Sequence, residues 1–219
     1  MTTYVALLGH PVEHSLSPRM QNAAFAARGL DWTYVALDVG PEDLADAVRG
    51  LTALGFAGAN VTIPHKIAVA KLVGSDLPSV NTLVGSEAYS TDTAVLDGIE
   101  FERPAIIGDG GAAAAFKQDL PGARVFSRRG EWPPDVRDAD LVINATPVRD
   151  EVLCELGPGQ TIVDLPYPRT ATALAADAAG ARVVDGLEVL VAQGATSFEL
   201  WTGVPAPVAV MRRAVGLPA

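Results

Sequence analysis

Two kinds of apolar segment alternate along the first third of the chain. The segments TYVALLG (3–9), TYVALDV (33–39) and ANVTI (59–63) are short and rich in β-branched or aromatic residues, as strands are. Each is followed by a stretch in which apolar residues recur every three or four positions, as in an amphipathic helix. This order predicts an α/β domain in which helices cover a mostly parallel sheet.

Start and stop signals support the helical segments. In SPRMQNAAFAARG, Ser17 is predicted as the N-cap, Pro18 as the first helical residue and Gly29 as the stop. The same reasoning predicts two further helices, over residues 40–55 and 65–73.

A second series of apolar segments begins near Pro104 and predicts a second α/β domain. Its strand-like pieces are AIIG, ARVFS, ADLVINAT, TIVDLPY and RVVDGL, and the helical piece AAAAF follows the first of them. Residues 74–92 are expected to be loop-rich, residues 93–104 to link the domains, and the tail from residue 194 to be helical in two pieces. We therefore expect one domain from residues 1–100 with 190–219, and another from residues 101–189.

Composition narrows the functional class. The chain has 219 residues, 49% of them hydrophobic, and a formal net charge of −10 without a basic block, so nucleic acid is not expected as a partner. No apolar stretch approaches the roughly 20 residues of a membrane span, and the N-terminus does not read as a signal peptide. The single cysteine, Cys154, favours a reducing, cytoplasmic setting. The histidines are too isolated to predict a metal site.

The segment AIIGDGGAAAAF is typical of a dinucleotide-binding turn. An apolar strand enters Gly108-x-Gly110-x-x-Ala113, and an alanine-rich helix follows. Glycines allow the close approach of a pyrophosphate, which sits on the helix N-terminus. The alternative is a plain strand-to-helix turn, and Asp109 favours that alternative because its carboxylate would repel phosphates.

The end of the next predicted strand indicates which dinucleotide binds. An acidic residue there would select NAD, but the sequence is VFSRRG, with Ser127, Arg128 and Arg129. A hydroxyl and two guanidinium groups suit the additional phosphate of NADP. The alternative is a pair of solvated surface arginines.

Two segments of the first domain carry candidate chemistry. In HSLSP, Ser15 and Ser17 stand before a predicted helix, where hydroxyls and free N–H groups suit a carboxylate; the alternative is that Ser17 only caps the helix. In NVTIPHK, Lys66 falls in the first turn of a helix, where the dipole disfavours a cation. Such a lysine suits proton exchange and needs a carboxylate nearby, which Asp92 could supply. The alternative is a surface lysine.

Together these segments resemble the shikimate dehydrogenase family over nearly the whole chain. The matching motifs are HSLSP (14–18), NVTIPHK (60–66), VNT (80–82), TD (91–92), GDGGAA (108–113), VINATP (142–147) and DGLEVLVAQGATSFELWTG (185–203). The resemblance implies a two-domain α/β fold with a substrate domain and a Rossmann-like domain. It also implies NADP-dependent interconversion of 3-dehydroshikimate and shikimate, within the shikimate pathway of aromatic amino-acid and chorismate biosynthesis, by a monomer or homodimer.

The resemblance assigns roles to residues at the matching positions. Lys66 and Asp92 would be the catalytic pair, and Ser15 and Ser17 would hold the substrate carboxylate. The ring hydroxyls would meet Asn60, Thr62, Asn81 and Gln193, with Tyr167 near the substrate. The cofactor would contact Gly108, Gly110, Gly111, Ser127, Arg128, Arg129, Thr146 and Gly186.

Several departures from the family pattern leave alternatives open. The chain looks short, notably after Arg129, where a helix is expected, and Asp109 interrupts the glycine-rich turn. The alternatives are a dehydrogenase that acts on quinate or another cyclic hydroxy acid, and a shikimate-binding relative with weakened cofactor binding.

Overall fold

The computed structural model describes residues 1–219 and divides them into two units, Met1–Ala94 with Leu190–Ala219, and Val95–Val189. The strands are β1 (Thr3–Gly9), β2 (Trp32–Asp38), β3 (Gly58–Val61), β4 (Thr82–Val84), β5 (Glu87–Tyr89), β6 (Pro104–Ile107), β7 (Arg124–Phe126), β8 (Leu141–Asn144), β9 (Thr161–Asp164) and β10 (Arg182–Val184). The helices are α1 (Ser17–Ala27), α2 (Leu44–Ala53), α3 (Lys66–Leu72), α4 (Gly111–Asp119), α5 (Ala171–Ala178), α6 (Gly186–Thr202) and α7 (Val208–Ala214).

The sheet of the first unit has the strand order β2-β1-β3-β4-β5. Strands β1, β2 and β3 are parallel, whereas β4 pairs antiparallel with both of its neighbours. Residues 5–9 of β1 are all buried, which is typical of a parallel strand covered on both faces. Ala6 and Leu8 pack into a core with residues of α2 and α3. The phenyl rings of Phe25 in α1 and Phe198 in α6 stack with their centroids 5.3 Å apart.

The sheet of the second unit is parallel throughout, in the order β10-β9-β8-β6-β7. Helix α4 follows β6 and helix α5 follows β9. Residues 127–140, between β7 and β8, contain no helix. Instead, the irregular segment packs Val136 and part of Trp132 against the core that includes Ile107 and Phe126. A shortened, helix-free connection therefore covers the sheet where a helix was expected.

One local expectation was wrong. Ser17 is the first residue of α1 rather than its cap; Leu16 holds the cap position and no side chain caps the helix. Residues 74–92 are loop-rich, as expected, but they also contain the hairpin β4–β5, whose turn includes Gly85 with a φ of 55°. The hairpin extends the sheet beyond β3, and a short 3₁₀ helix begins after it, at Asp92.

The carboxyl ends of β1, β2 and β3 meet at one edge of the first sheet. The Val39 amide donates to the Gly9 carbonyl (3.0 Å), and the Thr62 amide donates to the Leu8 carbonyl (2.8 Å). Ligands of open α/β sheets bind at this edge. None of the helices combines the length and apolarity that crossing a membrane requires.

Candidate active site

A lysine–carboxylate pair lies in the first unit. Lys66 Nζ is 2.7 and 2.6 Å from the two carboxylate oxygens of Asp92, and the two side chains are only 13% and 8% exposed. Lys66 is the first residue of α3, and Asp92 is the first residue of the 3₁₀ helix. The backbone helps to fix this position, because the Val80 amide donates to the Lys66 carbonyl (3.0 Å).

Two opposite electrostatic effects act on the Lys66 amine. The helix dipole is positive at the N-terminus of α3 and disfavours the ammonium, whereas the adjacent Asp92 carboxylate favours it. Burial strengthens both effects, since little water screens them. The carboxylate thus holds the amine in place at the start of α3.

Asn81 and Thr91 support the carboxylate of this pair. Asn81 Nδ2 donates to Asp92 Oδ1 (3.0 Å) and to Thr91 Oγ1 (2.9 Å). The Thr91 amide donates in turn to Asn81 Oδ1 (2.8 Å). Asn81 and Thr91 are buried, so these bonds fix the rotamer of the residue that holds Lys66.

Asn60 is the centre of a second buried network. Its Oδ1 accepts from the Tyr34 hydroxyl (2.9 Å). Its Nδ2 lies 2.9 Å from Ser197 Oγ, 3.0 Å from Thr82 Oγ1 and 3.1 Å from the Asn81 carbonyl. A carboxamide has two N–H groups, so both are already engaged within the protein. Asn60 thus ties β2, β3, β4 and α6 together next to Asn81.

The remaining sequence-predicted residues of the first unit are less tightly bonded. The Ser17 amide donates to Ser15 Oγ (3.2 Å), and Ser15 is half-buried. Thr62 is half-buried directly after β3. Gln193 Nε2 donates to the Leu190 carbonyl of its own helix (2.8 Å). These side chains have hydroxyl or amide capacity that the network around Asn60 lacks.

Four residues of these networks were missed as site residues by sequence reasoning: Tyr34, Thr82, Thr91 and Ser197. Thr82 and Thr91 stand inside motifs that the resemblance rests on, so the signal was present. Ser197 lies four residues after Gln193, on the same face of α6, and its hydroxyl donates to the Gln193 carbonyl (2.9 Å). Tyr34 gave no signal beyond its position in a strand.

The glycine-rich turn of the second unit has the form that a phosphate needs. Gly108 has a φ of 129°, and a Cβ there would lie 3.0 Å from the Ala145 carbonyl oxygen, so a side chain would be strained. Gly110 is the N-cap residue of α4 and has open space around it; no side chain caps this helix. Gly111 begins α4. The first N–H groups of α4 are therefore without side-chain partners.

The two predicted phosphate-binding arginines lie beside carboxylates. Arg128 donates to Glu151 (2.9 Å), and its guanidinium carbon lies 5.5 Å from the ring centroid of Trp132. Arg129 is 3.6 Å from Asp109, and its side chain is 88% exposed. The sequence suggested that Asp109 places an uncompensated negative charge beside the turn. In the structure, Arg129 lies close enough to compensate part of that charge. Both ion pairs are exposed and weak, so the arginines remain available to an anion.

Three further predicted residues also lie in the second unit. Thr146 follows β8 and donates its hydroxyl to Asn144 Oδ1 (2.8 Å). Tyr167 is half-buried in the loop after β9. Gly186, at the start of α6, approaches this loop so closely that a Cβ would lie 2.3 Å from the Pro166 carbonyl oxygen. Only glycine fits there without moving the loop that carries Tyr167.

Comparisons with known proteins bear on both units. A family model described as the shikimate dehydrogenase substrate binding domain matches residues 7–82, and one described as the shikimate 5'-dehydrogenase C-terminal domain matches residues 186–215. A shikimate dehydrogenase (NADP(+)) of Moorella thermoacetica is 40% identical over 271 aligned positions, which cover 97% of this chain and 92% of the relative.

Solved structures give the same result. A crystal structure of a shikimate dehydrogenase in complex with NADP+ superposes with a TM-score of 0.85 at 32% identity, covering 98% of this chain and 94% of that one. The shikimate 5-dehydrogenase of Thermus thermophilus, in complex with NADP(H) and shikimate, has a TM-score of 0.83 at 28% identity, covering 97% and 98%. The similarity therefore extends over both units.

Proposed function

This chain belongs to the shikimate dehydrogenase family, and from that premise we propose that it is an NADP-dependent oxidoreductase that interconverts 3-dehydroshikimate and shikimate. The observation that carries the proposal is the buried Lys66–Asp92 pair, with distances of 2.6 and 2.7 Å, in the unit that matches the substrate-binding family model. The reaction belongs to the shikimate pathway, which leads through chorismate to the aromatic amino acids.

Lys66 and Asp92 handle the proton of the reaction in this proposal. NADP, when bound, accepts or supplies the hydride at the carbon that carries the reacting oxygen. Lys66 takes the proton from that oxygen when the alcohol is oxidised and returns it when the ketone is reduced. Asp92 holds the amine in place and balances its charge, and Asn81 holds Asp92.

We assign the substrate carboxylate to Ser15 and Ser17, and the ring hydroxyls to Thr62, Asn81 and Gln193. Side chains placed to bond a substrate hydroxyl reject an analogue that lacks it, because they are then left unpaired. Asn60 and Asn81 stay in the substrate-binding set, but the N–H groups of both carboxamides are engaged within the protein, which favours an indirect contribution in which Asn60 supports Asn81 and Asn81 holds Asp92. The resemblance to the family assigns Tyr167 to the substrate as well.

The second unit fits a dinucleotide by the chemistry of its donors. Gly110 and Gly111 present backbone N–H groups at the start of α4, which suits a pyrophosphate. Gly108 serves the same site through its backbone conformation, because its amide donates to the Phe126 carbonyl (2.8 Å). Ser127, Arg128 and Arg129 stand after β7, where NADP carries its additional phosphate. Thr146 and Gly186 are assigned to the nicotinamide side. The domain roles follow: residues 1–100 with 190–219 bind the substrate, and residues 101–189 bind NADP.

Asp109 offers a specific test of the cofactor assignment. Asp109→Ala removes a carboxylate from the glycine-rich turn and frees Arg129. We expect NADP to bind a few-fold more tightly to this variant in an equilibrium titration. An unchanged dissociation constant would mean that the carboxylate faces away from the bound phosphates.

We propose a cytoplasmic protein that acts as a monomer or homodimer on a small shikimate-like acid. The free, buried Cys154 supports a reducing compartment. Sedimentation at several concentrations measures the oligomeric state, and a trimer or larger assembly would contradict this part of the proposal.

Equilibrium titration with NADP and NAD, each with and without shikimate, tests the proposed function. We expect NADP to bind more tightly than NAD, and we expect shikimate to bind in the presence of either dinucleotide. Binding of shikimate without any binding of NADP would show a shikimate-binding relative instead. Tight binding of quinate with no binding of shikimate would show a dehydrogenase of a related cyclic acid.

A further inference from the structure

A buried carboxylate in the second unit has no part in the proposed chemistry. Asp164, the last residue of β9, is fully buried, as are Asn144 at the end of β8 and Thr170 before α5. Asp164 Oδ1 accepts from Asn144 Nδ2 (2.7 Å) and from the Thr170 hydroxyl (3.0 Å), and Oδ2 accepts from the Thr170 amide (3.1 Å). These partners are all neutral donors.

The Asp164 carboxylate lies beside the N-terminus of α5. The Thr170 side chain also accepts from the Ala173 amide (3.2 Å), so Thr170 caps the N-terminus of α5. Asp164 therefore stands at the positive end of a helix dipole and accepts three hydrogen bonds. The arginine of the same loop, Arg169, is engaged with Asp185 (2.5 and 3.0 Å) and Asp177 (2.8 Å).

The hydrogen bonds continue beyond Asp164 in one direction. Asn144 Oδ1 accepts from the Thr146 hydroxyl (2.8 Å) and from the Thr146 amide (3.2 Å), while Asn144 Nδ2 donates to Asp164. Thr146, Asn144, Asp164 and Thr170 thus form one connected chain. Because Asp164 can only accept, it decides which way the Asn144 carboxamide is turned, and Asn144 then accepts from Thr146.

This chain holds two loops at the carboxyl edge of the second sheet. The two bonds from Thr170 to Asp164 close the five-residue loop 165–169, whose central residue is Tyr167. The bonds from Asn144 hold the loop after β8, which carries Thr146. Both loops stand where ligands of parallel sheets bind.

We propose that Asp164 is a positioning residue, which sets the loops of Thr146 and Tyr167 through Asn144 and Thr170. The proposal rests on the proposed function, because it places Thr146 toward the nicotinamide and Tyr167 toward the substrate. Asp164 itself is assigned no contact with the nicotinamide or the substrate. A loop displaced by about 1 Å near reacting groups costs up to 10²-fold in rate, so holding both loops from one buried group has a large effect on turnover.

Exchange of the two central residues tests the proposal. In Asp164→Asn, the NH₂ group of the new carboxamide faces another donor in both of its orientations. That donor is the Thr170 amide in one orientation and Asn144 Nδ2 in the other. In Asn144→Asp, two carboxylates face each other. In the double exchange, the carboxylate at position 144 accepts from the carboxamide at position 164 and from Thr146. The carboxamide oxygen at position 164 then accepts from the Thr170 amide.

We expect Asp164→Asn to lower kcat by about tenfold to 10²-fold. Its dissociation constant for adenosine 2′,5′-bisphosphate, a probe of the adenosine end of the site, should change less than about twofold, because that end is assigned to the segment after β7. The double exchange should recover kcat to within a few-fold. The control is Asp150→Asn, which removes an exposed carboxylate and should match the unaltered protein in both measurements.

Hydrogen exchange provides the readout that does not depend on activity. The amides of Thr146 and Thr170 should exchange faster in each single variant and recover protection in the double exchange. Unchanged exchange and unchanged kcat in Asp164→Asn would overturn the proposal, as would a double variant worse than either single one. If the protein turned out not to be a dehydrogenase, the exchange rates would still show whether Asp164 holds the two loops.

Discussion

Replacing Lys66 by arginine separates two roles that a lysine beside a carboxylate can have. Arginine keeps the positive charge next to Asp92 and matches a carboxylate well, but it cannot lose its proton in a protein. Methionine at the same position removes both the charge and the proton. If Lys66 serves only to neutralise Asp92, Lys66→Arg stays active; if it exchanges a proton with the substrate, both variants lose activity.

The expected size of the effect follows from the role. General acid–base catalysis contributes about 10² to 10⁴ in rate, or roughly 2.7 to 5.4 kcal/mol of barrier at 1.36 kcal/mol per factor of ten. We expect both variants to lose kcat by that factor with little change in substrate affinity. Their stabilities should differ. Removing one partner of a buried ion pair costs about 3 kcal/mol or more, so Lys66→Met should melt about 6 to 12 °C lower, whereas Lys66→Arg keeps the pair with Asp92.

Initial rates from the nicotinamide absorbance, together with thermal unfolding of the same samples, measure both effects. Substrate affinity is taken from equilibrium binding, so that loss of turnover is not confused with loss of binding. The control is Lys71→Arg, which changes an exposed lysine of the same helix. If Lys66→Arg retained near-normal kcat, Lys66 would neutralise charge without exchanging the proton, and the proposed mechanism would be wrong.

Three further predictions concern other sites. Arg128→Ala should weaken NADP binding more than NAD binding in parallel titrations, and an equal loss for both would refute the phosphate assignment. Burial raises the pKa of the Cys154 thiol to about 12, so a thiol reagent at pH 8 should label the protein only after unfolding; rapid labelling of the native protein would contradict this burial. Burial raises the pKa of Asp140, but hydrogen bonds from the Arg103 and Glu102 amides outweigh burial, so the pKa lies below its ordinary value. Asp140→Asn should therefore lower the free energy of unfolding at pH 7 and much less at pH 3, and an equal loss at both pH values would exclude the charge of the carboxylate as the cause.

Most strands and helices could be predicted because their sequences carry strong periodicity and clear boundaries. The hairpin β4–β5 was missed because its strands are only three residues long, too short for alternation to be recognised. Its turn residue Gly85 was a usable signal. Ser17 was misplaced because the chain enters α1 through Leu16, and a serine before a proline fits either position.

The candidate site was predictable where side chains belong to compact motifs. Lys66 and Asp92, 26 positions apart, were paired on chemical grounds, and the structure brings them together. The partners of Asn60 were not predictable, because no local pattern shows that Tyr34 and Ser197 converge on it from other elements. The ion pair of Arg128 with Glu151 was likewise hidden, since it joins residues 23 positions apart on two irregular segments.

Turnover of shikimate with NADP+ by the purified protein tests the central claim most directly. The rise of absorbance as the nicotinamide is reduced should depend on shikimate, be faster with NADP+ than with NAD+, and be almost abolished in both Lys66→Met and Lys66→Arg. If both ligands bind to the unaltered protein and no reduced nicotinamide forms, the chain is not a dehydrogenase of shikimate.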